Sequence, residues 1–323
     1  QIEKPHLDLG IVALTDSAPI IMAQQLGLFN KWGLHVELHM QNSWATLRDK
    51  LHTEKLDAVQ MLAPMPMASS MGLLGPACPL LTAFNLSMNG NAITLSQPLM
   101  HEIKTLNHGN MPALPLNATW LANIIQQRNH SQSDKPLTFA VVYPYSCHHY
   151  QLRDWLGSAG IDVERDVNIV IIPPTQMTKA LADNTIDGFC VGAPWNTIAV
   201  EYGVGIMATS GYEIWNNAPE KVLGVLESWH SRNPSTHLRL RLALMAACEW
   251  LSDMDNRIAT VEILSRPEYL DLPADYLRPS LTGEIIHERS KTAQSQSNFH
   301  VFSSYHAGFP WRSQAESMLE QFT

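Results

Sequence analysis

Several residues whose side chains can donate hydrogen bonds lie at the predicted starts of helices and strands. Trp44 follows Asn42 and Ser43, two good helix-capping residues, at the predicted first position of a helix. His148 lies in "YPYSCHHY", where another helix is predicted to begin, and Lys221 precedes an apolar run typical of a strand. The start of a helix offers unpaired backbone N–H groups and the positive end of the helix dipole, which favour a bound anion. Taken alone, Trp44 has an ordinary structural explanation as a core residue, and Lys221 has one as a surface residue.

Two further segments combine polar residues with glycine at the ends of apolar runs. "NLSMNGNAITLS" places Asn85, Asn89 and Asn91 around a glycine, and "GFCVGAPWN" places Gly192 shortly before a tryptophan. Glycine lets a backbone N–H approach a ligand closely, and an asparagine amide donates two hydrogen bonds. Asn–Gly is also typical of a tight turn, so turn formation is the structural explanation of the first segment.

The sequence lacks the short motifs that mark common catalytic and cofactor sites. It contains no GxxxxGK[ST], HExxH, GxSxG or GxGxxG pattern. His35 and His39 lie four positions apart in an alternating run that predicts a strand, where about 13 Å would separate them. His148 and His149 are adjacent and would point in different directions on a helix. We therefore predict no metal site and no cofactor.

The four cysteines form no pattern typical of a metal or redox site. They lie at Cys78, Cys147, Cys190 and Cys248, with no CxxC pair. This spacing is compatible with disulfides and with free buried thiols. Cys147 and Cys190 are the only candidates for a catalytic nucleophile, and neither has the local sequence expected around a catalytic cysteine. We predict that the protein is not an enzyme.

Composition narrows the class of protein and of partner. The length of 323 residues predicts two domains, and a hydrophobic content of 45% is sufficient for a packed core. The net charge of −9 and the lack of a basic run argue against nucleic acid or an anionic membrane surface as partner. No apolar run reaches the roughly 18 residues that cross a bilayer. The first residues lack a signal-peptide pattern, which predicts either a cytoplasmic protein or one whose leader has been removed.

Hydrophobic periodicity predicts two α/β units in succession. "LDLGIVAL", "LHVELHM" and "LDAVQML" are predicted strands, with helices between them that include "NSWATLRDKL". The same rhythm returns from "LTFAVVYP" to "IDGFCVGAP", and mostly helical sequence follows toward the end of the chain. Alternation of strands and helices predicts parallel sheets with crossover helices. Two such lobes suggest a cleft between them in which a small ligand binds.

The sequence also resembles a known family, the nitrate- and bicarbonate-binding proteins related to the solute receptors of ABC transporters. The resemblance extends along nearly the whole chain and rests on these segments: "LTDSAP", "GLFNKWGLHVEL", "SWATLRDKL", "LDAVQMLAPMP", "MNGNAIT", "DWLGSAGID", "VIIPPTQM", "DGFCVGAPWN", "EIWNNAPEKVLG" and "FPWRSQA". It implies a two-lobed α/β fold of the type II periplasmic-binding-protein class, closing on a small oxyanion. The implied lobes are residues 1–95 with 213–323, and residues 96–212.

The resemblance also implies which residues contact nitrate. They are Trp44 of the "SW" motif, His148, Gly192 of the "GAPW" motif, Lys221 of the "PEK" motif, and a side-chain amide at Asn91, with Asn85 as the alternative.

Nitrate is a planar monoanion with three acceptor oxygens, so a selective site is expected to offer only donors. Tryptophan and lysine side chains donate without accepting, and Lys221 provides the formal positive charge. In the bicarbonate-binding relatives the position of Lys221 looks acidic and a calcium ion assists. A lysine there would repel calcium and favours nitrate or nitrite.

Within the family the sequence is most similar to the cytoplasmic nitrate/nitrite sensors. The resemblance implies a sensor whose protein partner is an RNA-binding antiterminator, controlled by the ligand-dependent closure of the lobes. The alternative is a periplasmic receptor that delivers nitrate or bicarbonate to an ABC permease.

Overall fold

The first 89 residues of the computed structural model follow the predicted alternation of strands and helices. The structure describes residues 1–131 and 135–322. The strands of this first part are β1 (His6–Val12), β2 (His35–Gln41), β3 (Ala58–Leu62) and β4 (Leu80–Asn89), and the helices are α1 (Ala18–Gln25), α2 (Leu28–Lys31), α3 (Trp44–His52) and α4 (Met65–Met71). A short 3-10 turn, Thr15–Ser17, joins β1 to α1.

The middle of the chain repeats this alternation. Its strands are β5 (Asn91–Ser96), β6 (Leu137–Val141), β7 (Val167–Ile171), β8 (Gly188–Gly192) and β9 (Gly205–Ser210). Its helices are α5 (Gln97–Leu106), α6 (Thr119–His130), α7 (Cys147–Gly157), α8 (Met177–Ala182), α9 (Trp195–Glu201) and α10 (Gly211–Ile214), with a 3-10 turn at Pro174–Gln176.

The last third is one long strand followed by mostly helical chain. It contains β10 (Pro219–Leu226), α11 (Glu227–Arg232), α12 (Pro234–Trp250), α13 (Met254–Leu264) and α14 (Ala274–Thr282). Three two-residue strands, a 3-10 turn and a final helix complete it: β11 (Glu284–Ile285), β12 (Gln294–Ser295), β13 (His300–Val301), Ser304–His306 and α15 (Arg312–Glu320). Among the described residues, no helix combines the length and apolar character needed to span a membrane.

Two mixed sheets form the cores of two lobes. The larger sheet has the order β13-β4-β10-β3-β1-β2, and the smaller has the order β7-β6-β8-β5-β9. β1 pairs in parallel with β2 and β3, and β6 pairs in parallel with β7 and β8, as predicted. β10 and β5, however, pair antiparallel with their neighbours, which the prediction of parallel sheets did not include. Each enters its sheet from a distant part of the chain, so local periodicity cannot reveal the direction of its pairing.

The chain crosses from the larger sheet to the smaller at Gly90, earlier than the predicted boundary after residue 95. Asn89 and Gly90 both have positive φ, 61° and 97°, and this bend divides an apolar run into β4 and β5. The chain returns to the larger sheet between α10 and β10, so the predicted boundary at residue 212 falls within α10. That the two lobes move as units stays a prediction.

Helix α3 begins at the "NSW" motif. Trp44 is its first residue, and the side chain of Ser43 accepts a hydrogen bond from the backbone N–H of Thr46. Leu47 and Leu51 are buried with Trp44 on one side of the helix. The cap therefore fixes the point at which the chain turns into the helix and the direction of the tryptophan.

We predict that Ser43→Ala lowers the free energy of unfolding by about 1 kcal/mol, because the N–H of Thr46 loses its acceptor at the start of the helix. Urea unfolding followed by circular dichroism measures the change. Ser231→Ala is the control, since this exposed hydroxyl bonds a carbonyl within α11 and its loss is expected to cost about 0.5 kcal/mol or less. Equal effects of the two substitutions would contradict the capping role.

Candidate functional site

Two capped helix starts, one from each lobe, bring Trp44 and His148 to a shared buried region. Ser146 caps α7 in the way that Ser43 caps α3, accepting from the backbone N–H of His149. His148 is the second residue of α7 and is 1% exposed, as is Trp44. The amino-terminal turns of both helices contribute oriented N–H groups and positive dipole ends to this region.

Strands of both sheets complete the region. Asn91 of β5 lies opposite Gly192 of β8 in the smaller sheet, and Lys221 lies on β10 in the larger one. A Cβ placed on Gly192 would stand 3.6 Å from Asn91 Oδ1 and 3.7 Å from Lys221 Nζ. The lysine nitrogen lies 5.8 Å from the centre of the Trp44 ring. The structure therefore brings Trp44, Asn91, His148, Gly192 and Lys221 together, at the point where the two sheets meet.

Lys221 is held by two buried carboxylates that the sequence analysis did not assign to the site. Its ammonium lies 2.9 Å from Asp16 Oδ2 and 2.9 Å from Glu220 Oε1, and all three side chains are at most 1% exposed. The expectation of a site lined only by donors is therefore wrong. Asp16 and Glu220 stand within the quoted segments "LTDSAP" and "PEK", and the adjacency of Glu220 to Lys221 was the available signal.

Burial and the lysine charge act in opposite directions on these acids. Burial raises the pKa of Asp16 and of Glu220 above their usual values, and the positive charge of Lys221 only partly offsets this. Burial alone would lower the pKa of Lys221, but the charges of Asp16 and Glu220 raise it above the ordinary value. Burial and the lysine charge lower the pKa of His148 well below its ordinary value. Lys221 is thus cationic and His148 neutral near pH 7.

Several buried polar atoms around this triad have no hydrogen-bond partner among the described residues. They are Trp44 Nε1, Asn91 Oδ1, His148 Nδ1 and Gln151 Nε2. Buried polar atoms are normally paired, and four unpaired atoms in one place are typical of a site that receives a polar ligand. Gln151 was missed by the sequence analysis, although it lies one helical turn after His148 on the same face of α7.

The amide expected to contact the anion is arranged differently from the prediction. Asn91 Nδ2 donates to Glu220 Oε2 at 2.7 Å and to Gln151 Oε1 at 3.1 Å, so its donor is already used within the protein. Gln151 Nε2 is left as the unpaired amide donor. The structure therefore offers the amide of Gln151, positioned by Asn91, in the role predicted for Asn91 itself.

Asn85, the alternative amide, lies apart from the cluster. It is paired with Val222 across β4 and β10, whereas Lys221 is paired with Ser87. The register of the two strands shifts between Lys221 and Val222. Asn85 Nδ2 instead donates to Phe309 O at 3.2 Å and to Gln314 Oε1 at 3.1 Å. It therefore fixes the carboxyl-terminal segment to the larger sheet.

The cysteines near the cluster are unsuited to nucleophilic catalysis. All four cysteines are free, and Cys147 and Cys190 are fully buried. Burial, and then the negative charge of Glu220, raises the pKa of both thiols well above the usual value. A thiol that stays protonated near pH 7 is a poor nucleophile.

A group of metal-ligand residue types occurs at the outer edge of the larger sheet. Ligand atoms of Asp8, Glu37 and His39 lie within 4.8 Å of one another, and His39 Nε2 is 2.7 Å from Asp8 Oδ1. Asp8 on β1 and His39 on β2 are partly exposed, and Glu37 on β2 is fully exposed. His39 pairs with Asp8 at the surface, and Glu37 is a neighbouring acid at 4.0 Å from His39. His35 and His39 both lie on β2, as predicted, four positions apart.

Contacts between the lobes close the region from solvent. Arg48 Nη1 donates to Tyr143 OH at 2.8 Å, and Trp195 Nε1 donates to Ala13 O at 3.1 Å. The backbone N–H of Thr15 bonds Ala193 O at 2.9 Å. These contacts join the two lobes beside the buried cluster.

Comparison with known proteins identifies the family of the chain. The profile of the NMT1-like family matches residues 1–265. The chain is 36% identical over 323 residues to the nitrate import ATP-binding protein NrtC of Synechocystis sp., covering 99% of this chain and 46% of that protein. It is 31% identical over 319 residues to the nitrate/nitrite binding protein NrtA of Synechococcus elongatus, covering 96% of this chain and 69% of that protein.

Bicarbonate transporters also appear among the relatives. Identity to the bicarbonate transport ATP-binding protein CmpC of Synechococcus elongatus is 39% over 280 residues, covering 86% of this chain and 40% of that protein. The chain thus spans less than half the length of these ATP-binding relatives.

Solved structures support the predicted fold. The crystal structure of the periplasmic nitrate-binding protein NrtA from Synechocystis matches with a TM-score of 0.88 and 26% identity, over 98% of this chain and 80% of that chain. An alkanesulfonate-binding protein from Xanthomonas axonopodis matches with a TM-score of 0.65 and 15% identity, over 92% of this chain and 89% of that chain, which shows the fold alone. The prediction of an α/β fold of the periplasmic-binding-protein class is confirmed. The chain belongs to the NMT1-like family and, within it, to the solute-binding proteins of the nitrate and bicarbonate ABC transporters.

Proposed function

We propose that the chain binds nitrate or nitrite in the buried region between α3 and α7. The observation that carries this proposal is the set of unpaired buried donors around the ammonium of Lys221. The names of the relatives support an oxyanion as the ligand, since they include a nitrate/nitrite binding protein and a bicarbonate transport protein.

The donors available in the region match the acceptors of nitrate. Trp44 Nε1 and Gln151 Nε2 are unpaired, and Trp44 and His148 lie in the first turns of α3 and α7, where helices offer backbone N–H groups to an anion. Lys221 uses two of its three N–H bonds on Asp16 and Glu220, which leaves one for the ligand. Hydrogen bonds to a charged group contribute about 1.5–3 kcal/mol each, and a few of them are enough for micromolar affinity at about 8 kcal/mol.

The role best supported by the relatives is that of the solute-binding component of an ABC import system for nitrate. The matched proteins are named for nitrate import, nitrate/nitrite binding and bicarbonate transport. The second candidate is a cytoplasmic nitrate/nitrite sensor that controls an RNA-binding antiterminator, which the motif resemblance within the sequence favours. In both roles the ligand acts by binding the closed lobes more tightly than the open ones.

Titration calorimetry with nitrate, nitrite, bicarbonate and sulfate tests the ligand. We expect nitrate or nitrite to bind with about micromolar affinity without any metal. The ammonium of Lys221 would repel a calcium ion at this position. Bicarbonate binding that requires calcium, with no heat from nitrate or nitrite, would contradict the proposal.

Trp44→Phe tests the unpaired indole donor. We expect nitrate affinity to fall about tenfold or more, because one hydrogen bond to the anion is lost. Phenylalanine is smaller than the buried indole, so the free energy of unfolding without ligand should fall by about 1–3 kcal/mol through lost packing, since Trp44 Nε1 has no protein partner to lose. Calorimetry and urea unfolding measure the two quantities.

Trp155→Phe is the matched control for that substitution. Trp155 Nε1 donates to Leu116 O at 3.0 Å, and both groups are buried. Removing this donor should lower the free energy of unfolding by about 1–3 kcal/mol and leave nitrate affinity unchanged. The same affinity in Trp44→Phe and the unsubstituted protein would place the anion away from Trp44.

Tyr143→Phe tests whether closure of the cleft contributes to binding. The substitution removes the hydrogen bond from Arg48 across the cleft, which lies outside the proposed anion contacts. We expect nitrate affinity to fall about threefold to tenfold, through faster dissociation, because the closed form loses a charge-assisted bond. Stopped-flow fluorescence measures the dissociation rate, and an unchanged rate would exclude this contact from closure.

The complete gene and a binding assay separate the two roles. A leader peptide or a lipid-attachment cysteine encoded before Gln1 would favour the transport receptor and exclude the cytoplasmic sensor. Copurification with an RNA-binding antiterminator that nitrate disrupts would favour the sensor. Copurification with a membrane permease would favour the receptor.

A further inference from the structure

The buried cluster carries one more negative than positive formal charge. Asp16 and Glu220 are acids, Lys221 is the single base that contacts them, and His148 is neutral because burial lowers its pKa. All four side chains are at most 1% exposed, so water cannot screen them. With both acids ionised, the cluster has a net charge of −1 before any ligand enters.

A bound monoanion would raise this buried charge to −2. Isolated buried charges are costly, and a buried group usually neutralises by changing its protonation rather than remaining charged. The site must therefore gain a positive charge when it gains nitrate. Within the described residues no Arg or further Lys forms an ion pair with this cluster, so the compensating charge is not already in the protein.

We propose that the cleft binds its anion together with one proton and that Glu220 is the group that takes up this proton. The proposal rests on the proposed function, since it assumes that this cluster holds the anion. The proton comes from solvent and forms an O–H bond on the Glu220 carboxylate. No other bond changes, and the net charge of the cluster with its ligand stays at −1.

The neighbours of Glu220 favour it over Asp16 as the proton acceptor. Glu220 Oε1 lies 3.5 Å from His148 Nδ1, a buried nitrogen without a hydrogen-bond partner. A protonated Glu220 can donate to that nitrogen. Asp16, in contrast, receives hydrogen bonds from Gln60 and Lys221, which are both donors and cannot accept its proton.

Protonation of Glu220 would also prepare His148 for the anion. A neutral imidazole carries one hydrogen, so acceptance at Nδ1 places that hydrogen on Nε2. Nε2–H is then a donor for the ligand. With Glu220 ionised, Nδ1–H would face the carboxylate instead and Nε2 would become an acceptor, which repels nitrate. The proton on Glu220 and the anion therefore stabilise each other.

The remaining titratable groups around Glu220 do not provide an alternative proton site. They come from five parts of the fold, namely Asp16 in the 3-10 turn after β1, Cys147 and His148 on α7, Cys190 on β8, Lys221 on β10, and His300 on β13. The two thiols are already protonated because burial raises their pKa. Burial, followed by the charges of Arg257 and Lys221, lowers the pKa of His300 well below its ordinary value.

Uptake of a single proton also limits the class of ligand that the site can bind. A monoanion needs one proton to restore the charge of the cluster, whereas a dianion such as sulfate needs two. Glu220 supplies one proton site with an acceptor beside it. We therefore expect the site to select monovalent oxyanions over divalent ones of similar size.

Calorimetry in buffers with different ionisation enthalpies measures the proton uptake directly. We expect the apparent binding enthalpy of nitrate to vary linearly with buffer enthalpy, with a slope that approaches one proton taken up at pH values above the pKa of Glu220 in the free protein. Affinity should fall about tenfold per pH unit in that range, because the proton must then be taken from solvent. Below that pKa the slope should shrink, since the free protein then already holds the proton.

The outcomes separate this inference from the proposed function. Heat that is the same in every buffer, with an affinity independent of pH from about pH 6 to about pH 9, would overturn the proton uptake and leave nitrate binding standing. No heat with nitrate or nitrite in any buffer would overturn the proposed function and this inference with it.

Glu220→Gln tests the assignment of the proton to Glu220. The amide cannot ionise, so nitrate that binds this variant should do so with little dependence on pH and with no proton uptake. Its affinity should be lower, because the NH2 group must face one of two donors, Asn91 Nδ2 or Lys221 Nζ. Glu37→Gln, a change of an exposed acid on β2, is the control and should keep the slope of the unsubstituted protein. Proton uptake in Glu220→Gln equal to that of the unsubstituted protein would overturn the assignment, and the buffer experiment on the unsubstituted protein decides the uptake even if the variant does not fold.

Discussion

The ion triad of Lys221 with Asp16 and Glu220 is the interaction on which the arrangement of the site depends. It joins the turn after β1 to β10, two segments separated by about two thirds of the chain, inside the larger lobe. Glu220 extends the connection into the smaller lobe, because its second oxygen accepts from Asn91 at the start of β5. A buried lysine is stable only with partners that compensate its lost hydration. The same contacts that satisfy the lysine therefore hold the two lobes together.

This triad also explains why the site can be specific without being strongly positive. A free ammonium in a buried cleft would attract many anions and would cost a large desolvation energy in the absence of ligand. The two acids reduce that cost and limit the net charge of the cluster. Trp44 Nε1 and Gln151 Nε2 are unpaired buried donors from opposite lobes. In the proposed function, the geometry of these donors would select the ligand, and closure of the lobes would bring them together.

The local elements around the site follow from the sequence, whereas their partners do not. The capping residues Ser43 and Ser146 mark the starts of α3 and α7, and the alternating runs mark β1 and β10. The family resemblance indicated which residues would form the site. The structure brings five of them together, namely Trp44, Asn91, His148, Gly192 and Lys221. Asn85 shows that closeness in the sequence does not place a residue in the cluster. It stands six residues from Asn91 in the same polar segment, yet it lies on β4 beside the carboxyl-terminal segment because the chain bends at Gly90.

The sequence by itself determined many of the strands and helices, where two helices begin and which residue types could donate to an anion, but it did not predict α5. These properties depend on neighbours within a few positions, such as a serine and the amide three residues later. Only the tertiary structure decided that Asp16 and Glu220 pair with Lys221, that the Asn91 amide donates to Glu220, and that Gln151 Nε2 is left unpaired. Hydrogen bonds and charge pairs form between whichever groups the fold places within about 3 Å. The pairing of Lys221 with Asp16, 205 positions earlier in the chain, therefore has no counterpart in the local sequence.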